Sequence, residues 1–282
     1  MYQEQGALQG DLGKNIFDEF TSLINKLLSF LSKILVIAEL EVRKLKHDPT
    51  ELFTRAAQPA LWMLVFGEVF SRVRAIPTGG LKYLDFMAPG ILAQSVLFVA
   101  IFYGIAIIWE RDLGIVHKFL ASPVPRSALI LGKSISAGVR AISQAVIIYL
   151  LALVLNVRLS FSFYDLMGIL FVIIISAALF STFSLIIACI VKTRERFMGI
   201  GQVLTMPLFF ASNAIYPISM MPGWLKAFAH INPLTYEVDA LRSFMILGEK
   251  SLYGITFDFT ALIISLIVLS VIAAKIYPSV VR

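Results

Sequence analysis

The segment LMGILFVIIISAALFSTFSLIIACIV, residues 166–191, decides the class of fold. It contains no charged side chain, and as an α-helix it exceeds the roughly 20 residues needed to cross about 30 Å of hydrocarbon. Working outward from it, five more apolar runs are found: Ala56 to Phe70 (extended by Leu52 and Phe53), Phe86 to Trp109, Ile135 to Val157, Phe197 to Ile218, and Phe259 to Tyr277. The first is the weakest, with Pro59 near its start and Glu68 inside it. Of the 282 residues, 59% are hydrophobic and only 15% charged, whereas a soluble domain carries roughly 25% charge. This pattern predicts an all-α integral membrane protein with six transmembrane helices, and it argues against a water-soluble enzyme, a disordered chain or a fibre. The lone Cys189 is incompatible with an internal disulfide framework or a Cys-rich metal site. The polar start MYQEQGALQGDLGKN lacks the apolar core of a cleavable signal peptide.

Charge placement sets the expected topology, because cytoplasmic segments gather Lys and Arg. Six spans put both termini, the second loop and the fourth loop on one side, with 16 of the 24 basic residues. The short loop Lys192–Arg196 carries three, whereas 158–165 carries Arg158 alone. Both termini are therefore expected in the cytoplasm of a multi-pass protein of the cell membrane. The net charge of +6 reflects these loops and not a nucleic-acid surface.

Two segments depart from simple spans. In residues 1–50, Ile16–Lys46 repeats apolar residues at three- and four-residue steps, from Phe17, Phe20, Leu23 and Ile24 to Leu35, opposite Glu19, Lys26 and Lys33. That spacing predicts an amphipathic helix lying on the membrane surface, with a seventh span around Leu27–Leu40 as the competing reading. Within the membrane domain, 51–282, the segment 221–258 holds three short apolar patches broken by Pro222, Gly223, Pro233 and Gly248. None is long enough to cross, so short re-entrant helices packed against protein are expected between the fifth and sixth spans.

Catalytic patterns are scarce. His47, His117 and His230 lie in separate segments without metal-ligand spacing, and no catalytic or metal site is expected. Charged residues fall inside the spans only near an end, Glu68 and Arg140 among them, whereas ion-coupled transporters generally use buried carboxylates or broken helices. Gly132-Lys133-Ser134 imitates the end of a phosphate-binding loop, but Ser127 stands where its first glycine is needed. The chain is therefore not expected to bind ATP itself.

The second cytoplasmic loop, Trp109 to Ser127, opens with Glu110, Arg111 and Asp112. It then places Leu113, Val116, Phe119 and Leu120 on one face, before Pro123 and Pro125 end the helix. A short helix at the membrane face, charged at one end and apolar along one side, suits docking onto a partner. Glu110 and Asp112, read as its first turn, suit the positive end of the helix dipole.

In order and content these segments resemble the permease subunit of type-2 ABC exporters, in particular the daunorubicin-resistance-like branch. Glu110, Arg111, Gly114, Leu120, Ser122 and Pro123 match that family's glutamate-arginine helix and Ser-Pro step. Pro222–Leu225, Asn232–Tyr236 and Asp239–Arg242 match its Pro-Gly-Trp-Leu, Asn-Pro-Leu-Thr-Tyr and Asp-Ala-Leu-Arg motifs. The departure is His117-Lys118, where an acidic residue before a Leu-rich turn is expected. The resemblance runs from about Leu35 to the C-terminus.

The resemblance implies a permease that pairs with a second copy, as homodimer or heterodimer, surrounded by membrane lipids. Separate ATP-binding cassette subunits would hold ATP and Mg²⁺, leaving this chain without a cofactor. Residues 110–122 would be the coupling helix, contacting the ATPase through Glu110, Arg111, Asp112, Leu113, Gly114, Val116, Phe119 and Leu120. Substrate would meet Phe98, Phe102 and Tyr103 of the second span and Phe209, Phe210, Asn213 and Tyr216 of the fifth. Asn232, Pro233, Tyr236, Asp239 and Arg242 would build the re-entrant cap, with Asp239 and Arg242 as a local i, i+3 pair. The expected cargo is an amphipathic drug-like or lipid-like compound. The alternatives are export of a polysaccharide or lipo-oligosaccharide and, in other classes, a membrane-embedded lipid-modifying enzyme or a non-transporting scaffold.

Overall fold

The computed structural model describes residue 54 and residues 57–73, 76–113, 126–191 and 193–276. A π-helical turn, Trp62–Gly67, leads into α1 (Glu68–Val73), followed by α2 (Tyr83–Asp112), α3 (Arg126–Val154), α4 (Phe163–Ile190) and α5 (Arg194–Phe210). A 3₁₀ turn at Ile218–Met220 then precedes α6 (Gly223–Ile231), α7 (Pro233–Met245) and α8 (Ile255–Ile276). Among the described residues no strand forms, and a single antiparallel bridge joins Leu159 to Ile246.

The decisive segment forms α4. A helix apolar on every side has no face to give to water and is most stable when surrounded. Accordingly α4 packs against α2, α3, α7 and α8, burying Val172, Ile173, Ala177, Leu179 and Phe180. Its Ser184 donates across the interface to the Ile101 carbonyl of α2. Close approach there depends on Gly104 of α2, where a Cβ would meet Ser184 and the Phe197 ring of α5. Gly90, higher on α2, stands so near the Ala214 carbonyl that a Cβ would lie 2.4 Å from its oxygen. In contrast, α8 leaves Ile263, Ile264, Ile267, Val268 and Val271 exposed, an apolar face suited to lipid.

Among the described residues, four helical stretches are long and apolar enough to cross a membrane: Tyr83–Ile105, Ala137–Val154, Phe163–Ile190 and Ile255–Ile276. The first and fifth expected spans are helical but shorter. The first combines residues 57–61, the π turn and α1. The run predicted over Phe197–Ile218 is helical only to Phe210. Pro207 supplies no N–H to the last turn, and the chain turns through Ala211–Tyr216 before the 3₁₀ segment. The surface helix expected over Ile16–Lys46 lies outside the described residues.

Candidate functional site

Three parts of the molecule carry the residues singled out above. The first is the C-terminal end of α2. Glu110, Arg111 and Asp112 close α2 instead of opening a separate helix, so the favourable dipole assigned to Glu110 and Asp112 is reversed: a carboxylate here meets the negative helix end. Asp112 is compensated from α5, whose Arg194 Nη2 lies 3.1 Å from Asp112 Oδ2. The same guanidinium sits 3.5 Å from the centre of the Trp109 ring. Leu113 is exposed, and the remainder of the predicted coupling helix, including Gly114, Val116, Phe119 and Leu120, lies outside the described residues. Thr193 caps α5 by accepting from the Arg196 N–H. The loop between α4 and α5 is thereby tied directly to the base of α2.

The second part comprises the residues expected along a pathway, four of which the structure places in two cavities. Phe98 and Phe102 stack on one another at 5.9 Å between centroids. With Gln94 and Ser95 of α2, Gln144 of α3 and Gln58, they line a cavity of about 340 Å³. Gln94, Phe98 and Phe102 follow at four-residue steps, so one face of α2 presents them together. The Nε2 of Gln94 is buried without a hydrogen-bond partner. Tyr103 lies outside this cavity, beneath the Arg140 guanidinium, 5.6 Å from its ring centre. Phe210 and Tyr216 instead line a larger cavity of about 710 Å³ with Trp62, Phe66 and Met220. Phe209 is buried, edge-on to Trp62. Asn213 is buried too, with its side-chain oxygen unpaired.

The third part is the cap formed by α6 and α7. Pro233 occupies the first position of α7, where its missing N–H costs nothing. Asn232 is the N-cap: its Oδ1 accepts from the Leu234 N–H at 3.1 Å. Its amide donates to the Leu208 and Ala211 carbonyls, at 2.7 and 3.2 Å, which the end of α5 leaves free. Tyr236 donates to the His230 carbonyl at 2.6 Å.

Asp239 and Arg242 do not close the expected i, i+3 pair, because each is engaged elsewhere. Asp239 Oδ2 accepts from Ser251 Oγ, Leu252 N–H and Tyr253 N–H. Arg242 points into the interior, 4.0 Å over the Phe86 ring, and donates to the Asn213 and Phe86 carbonyls. Burial lowers the Arg242 pKa to about 10, which leaves it charged at neutral pH.

Sequence reasoning missed Gln94, Gln144 and Glu237. The two glutamines signal themselves as polar residues inside apolar spans. Glu237 was hidden because it lies between the short apolar patches of 221–258, and only its packing makes it a buried acid. Burial pushes its carboxyl well above the usual range. Among the described residues, no cluster of His, Cys, Asp and Glu could hold a metal.

Long apolar helices, one of them apolar on every side, are those of an integral membrane protein. The sequence matches the ABC-2 type transporter family over residues 32–246, and the chain belongs to that family. It is 27% identical over 215 residues to the putative transport permease ycf38 of Cyanophora paradoxa, covering 76% of this chain and 74% of that protein. It is 26% identical over 200 residues to the daunorubicin resistance ABC transporter permease protein DrrB1 of Streptomyces coeruleorubidus, covering 71% and 70%. With the inner membrane transport permease YadH of Escherichia coli K12 the identity is 21% over 188 residues, covering 64% and 70%. The chain is thus a permease subunit of ABC transporter type.

Proposed function

We propose that this permease works as a dimer, with separate ATP-binding subunits, to export amphipathic drug-like or lipid-like compounds across the cell membrane. In this reading the chain crosses six times with both termini in the cytoplasm, the shorter first and fifth helices included. The α6–α7 cap then stands at the opposite face. ATP and Mg²⁺ belong to the partner subunit, and the chemistry of hydrolysis with them.

The observation that carries the reading is that one helix, α2, bears both functions. Phe98 and Phe102 line the amphiphilic cavity, and Asp112 stands at the end of the same helix, beside the predicted coupling segment. Ten residues separate Phe102 from Asp112, about 15 Å along a rigid helix. A displacement of the coupling segment by an ATPase passes through Asp112, Arg194 and Trp109 into both α2 and α5. Along α2 it reaches the cavity wall; along α5 it reaches Leu208 and Ala211, to which the cap is bonded. The cavity has the size of pockets that hold small ligands, with amides at Gln94 and Gln144 and stacked phenyl rings beside them. That lining suits a flat apolar body bearing hydrogen-bonding groups.

The test is Phe119→Asp in the complex reconstituted with its ATPase. The substitution places a charge on the predicted docking face and leaves the cavity untouched. ATP-dependent transport should fall at least tenfold while the permease still folds and inserts. Transport at the unaltered rate would overturn the reading.

A further inference from the structure

The least expected group in the molecule is the Glu237 carboxyl. α7 is thirteen residues long, and Glu237 lies near its middle, fully buried. Neither carboxylate oxygen has a hydrogen-bond partner. Across the seam stands Ser176 of α4, also fully buried, whose hydroxyl lies close enough to the acid to moderate the effect of burial.

The position is built by close packing. Glu237 faces Ser176, and Phe244, two turns further along α7, presses on Gly168 of α4, where a Cβ would come within 2.7 Å of its ring. The paired numbers rise along α7 and fall along α4, so the two helices run antiparallel along one seam, and the acid is inside it.

Among the described residues, the charged and titratable groups on the surrounding elements are engaged elsewhere or lie away from the acid. On α7 itself, Asp239 binds the 251–253 loop, Arg242 binds the Phe86 and Asn213 carbonyls, and Tyr236 binds the His230 carbonyl. On α4, Asp165 accepts from Ser160, Tyr164 packs on the Phe244 ring, and Cys189 lies over three turns beyond Ser176. On α2, Asp85 pairs with Arg158 and Tyr83 donates to the Ile215 carbonyl. On α8, Asp258 accepts from Ser251, and Lys275 is in the last turn. On α6, His230 meets the Tyr253 hydroxyl and Lys226 lies half-buried four residues before it. Beyond α7, Glu249 and Lys250 lie in the loop.

A carboxylate without a cation or a donor is far costlier to bury than the neutral acid. We propose that Glu237 is a proton-binding site: it carries a proton while α7 is seated on α4 and releases it to water on the cap side when the seam opens. On release the O–H bond breaks, the proton passes to water or buffer base, and the carboxylate is stabilised by hydration. Closing the seam takes a proton back. The inference rests on the reading proposed above, in which the α6–α7 cap stands at the far face of an ATP-driven permease.

The sign follows from linkage. Burial raises the closed-state pKa above that of the open, hydrated acid, which lies near the ordinary value of about 4.3. Protonation therefore favours the closed seam. As the cap-side pH rises above that ordinary value, opening is favoured by up to tenfold per pH unit, until the closed state itself loses the proton.

Two measurements test this. Purified protein in lipid at neutral pH should give the infrared band of a protonated carboxyl, absent from Glu237→Gln and shifted in Ser176→Ala, which serves if the glutamine variant does not assemble. No such band, or one untouched by both substitutions, overturns the proposal whatever the protein transports. In vesicles holding the complex with its ATPase, hydrolysis should rise several-fold per unit of cap-side pH where opening limits turnover. In Glu237→Gln, permanently neutral, it should be flat. A slope in the glutamine variant equal to that of the unaltered chain overturns the proposal. A complex without ATP-driven turnover at any pH, yet with the band in place, sinks the exporter reading and leaves the proton site standing.

Discussion

At the scale of single residues, function here rests on polar groups placed where an apolar chain has few of them. Asn232 serves two helices at once, capping α7 with its oxygen and covering the last carbonyls of α5 with its amide. Asn232→Ala removes a cap worth about 1 kcal/mol and leaves buried carbonyls unpaired, so a total loss of about 2–3 kcal/mol is expected. Thermal unfolding in detergent measures it, and Asn232→Asp, which keeps the cap and loses the donors, should fall between. The motif Asn-Pro-Leu-Thr-Tyr was legible as a helix start because Asn and Pro have local conformational preferences. The pairing of Asp239 with Arg242 was not: spacing places two side chains on one face of a helix, but partners from other elements decided where each points.

At the scale of elements, the junction of α2 with α5 shows how little energy a functional contact needs. Arg194 and Asp112 are each a third or more exposed, so their pair contributes only about 0–1 kcal/mol to stability. Arg194→Ala should leave the unfolding temperature within a few degrees of the unaltered chain. It should cut permease-stimulated ATP hydrolysis several-fold, because the link from the coupling segment to α5 is lost. Equal losses of stability and stimulation would mean that the contact is merely structural. Where the predicted coupling helix begins was not readable from sequence. The charged run Glu110–Asp112 looks like the opening of a new helix, yet α2 continues through it because no proline or glycine lies between Gly104 and Gly114.

At the scale of the whole molecule, three parts of the chain, α2, α3 and the segment before the π turn, enclose the cavity beside Phe98. Gln94→Leu removes a buried amide whose nitrogen has no partner, so the fold should be unchanged or more stable by about 1 kcal/mol. Transport of an amphipathic probe should nevertheless fall, since the cavity loses a hydrogen-bonding group. A rise in stability with undiminished transport would remove this cavity from the pathway. The solvent is written in the sequence: twenty-residue apolar blocks and a shortage of charge suit a bilayer, where a helix satisfies its own backbone groups. So are the order of elements and the short helices after α5, because helix length, proline and glycine act locally. Which polar residues matter came from packing alone. Glu237 in an extended chain is an ordinary acid beside a tyrosine. It becomes a buried, unpaired carboxyl only because α7 lies against α4, two segments some sixty residues apart whose contact no local pattern encodes.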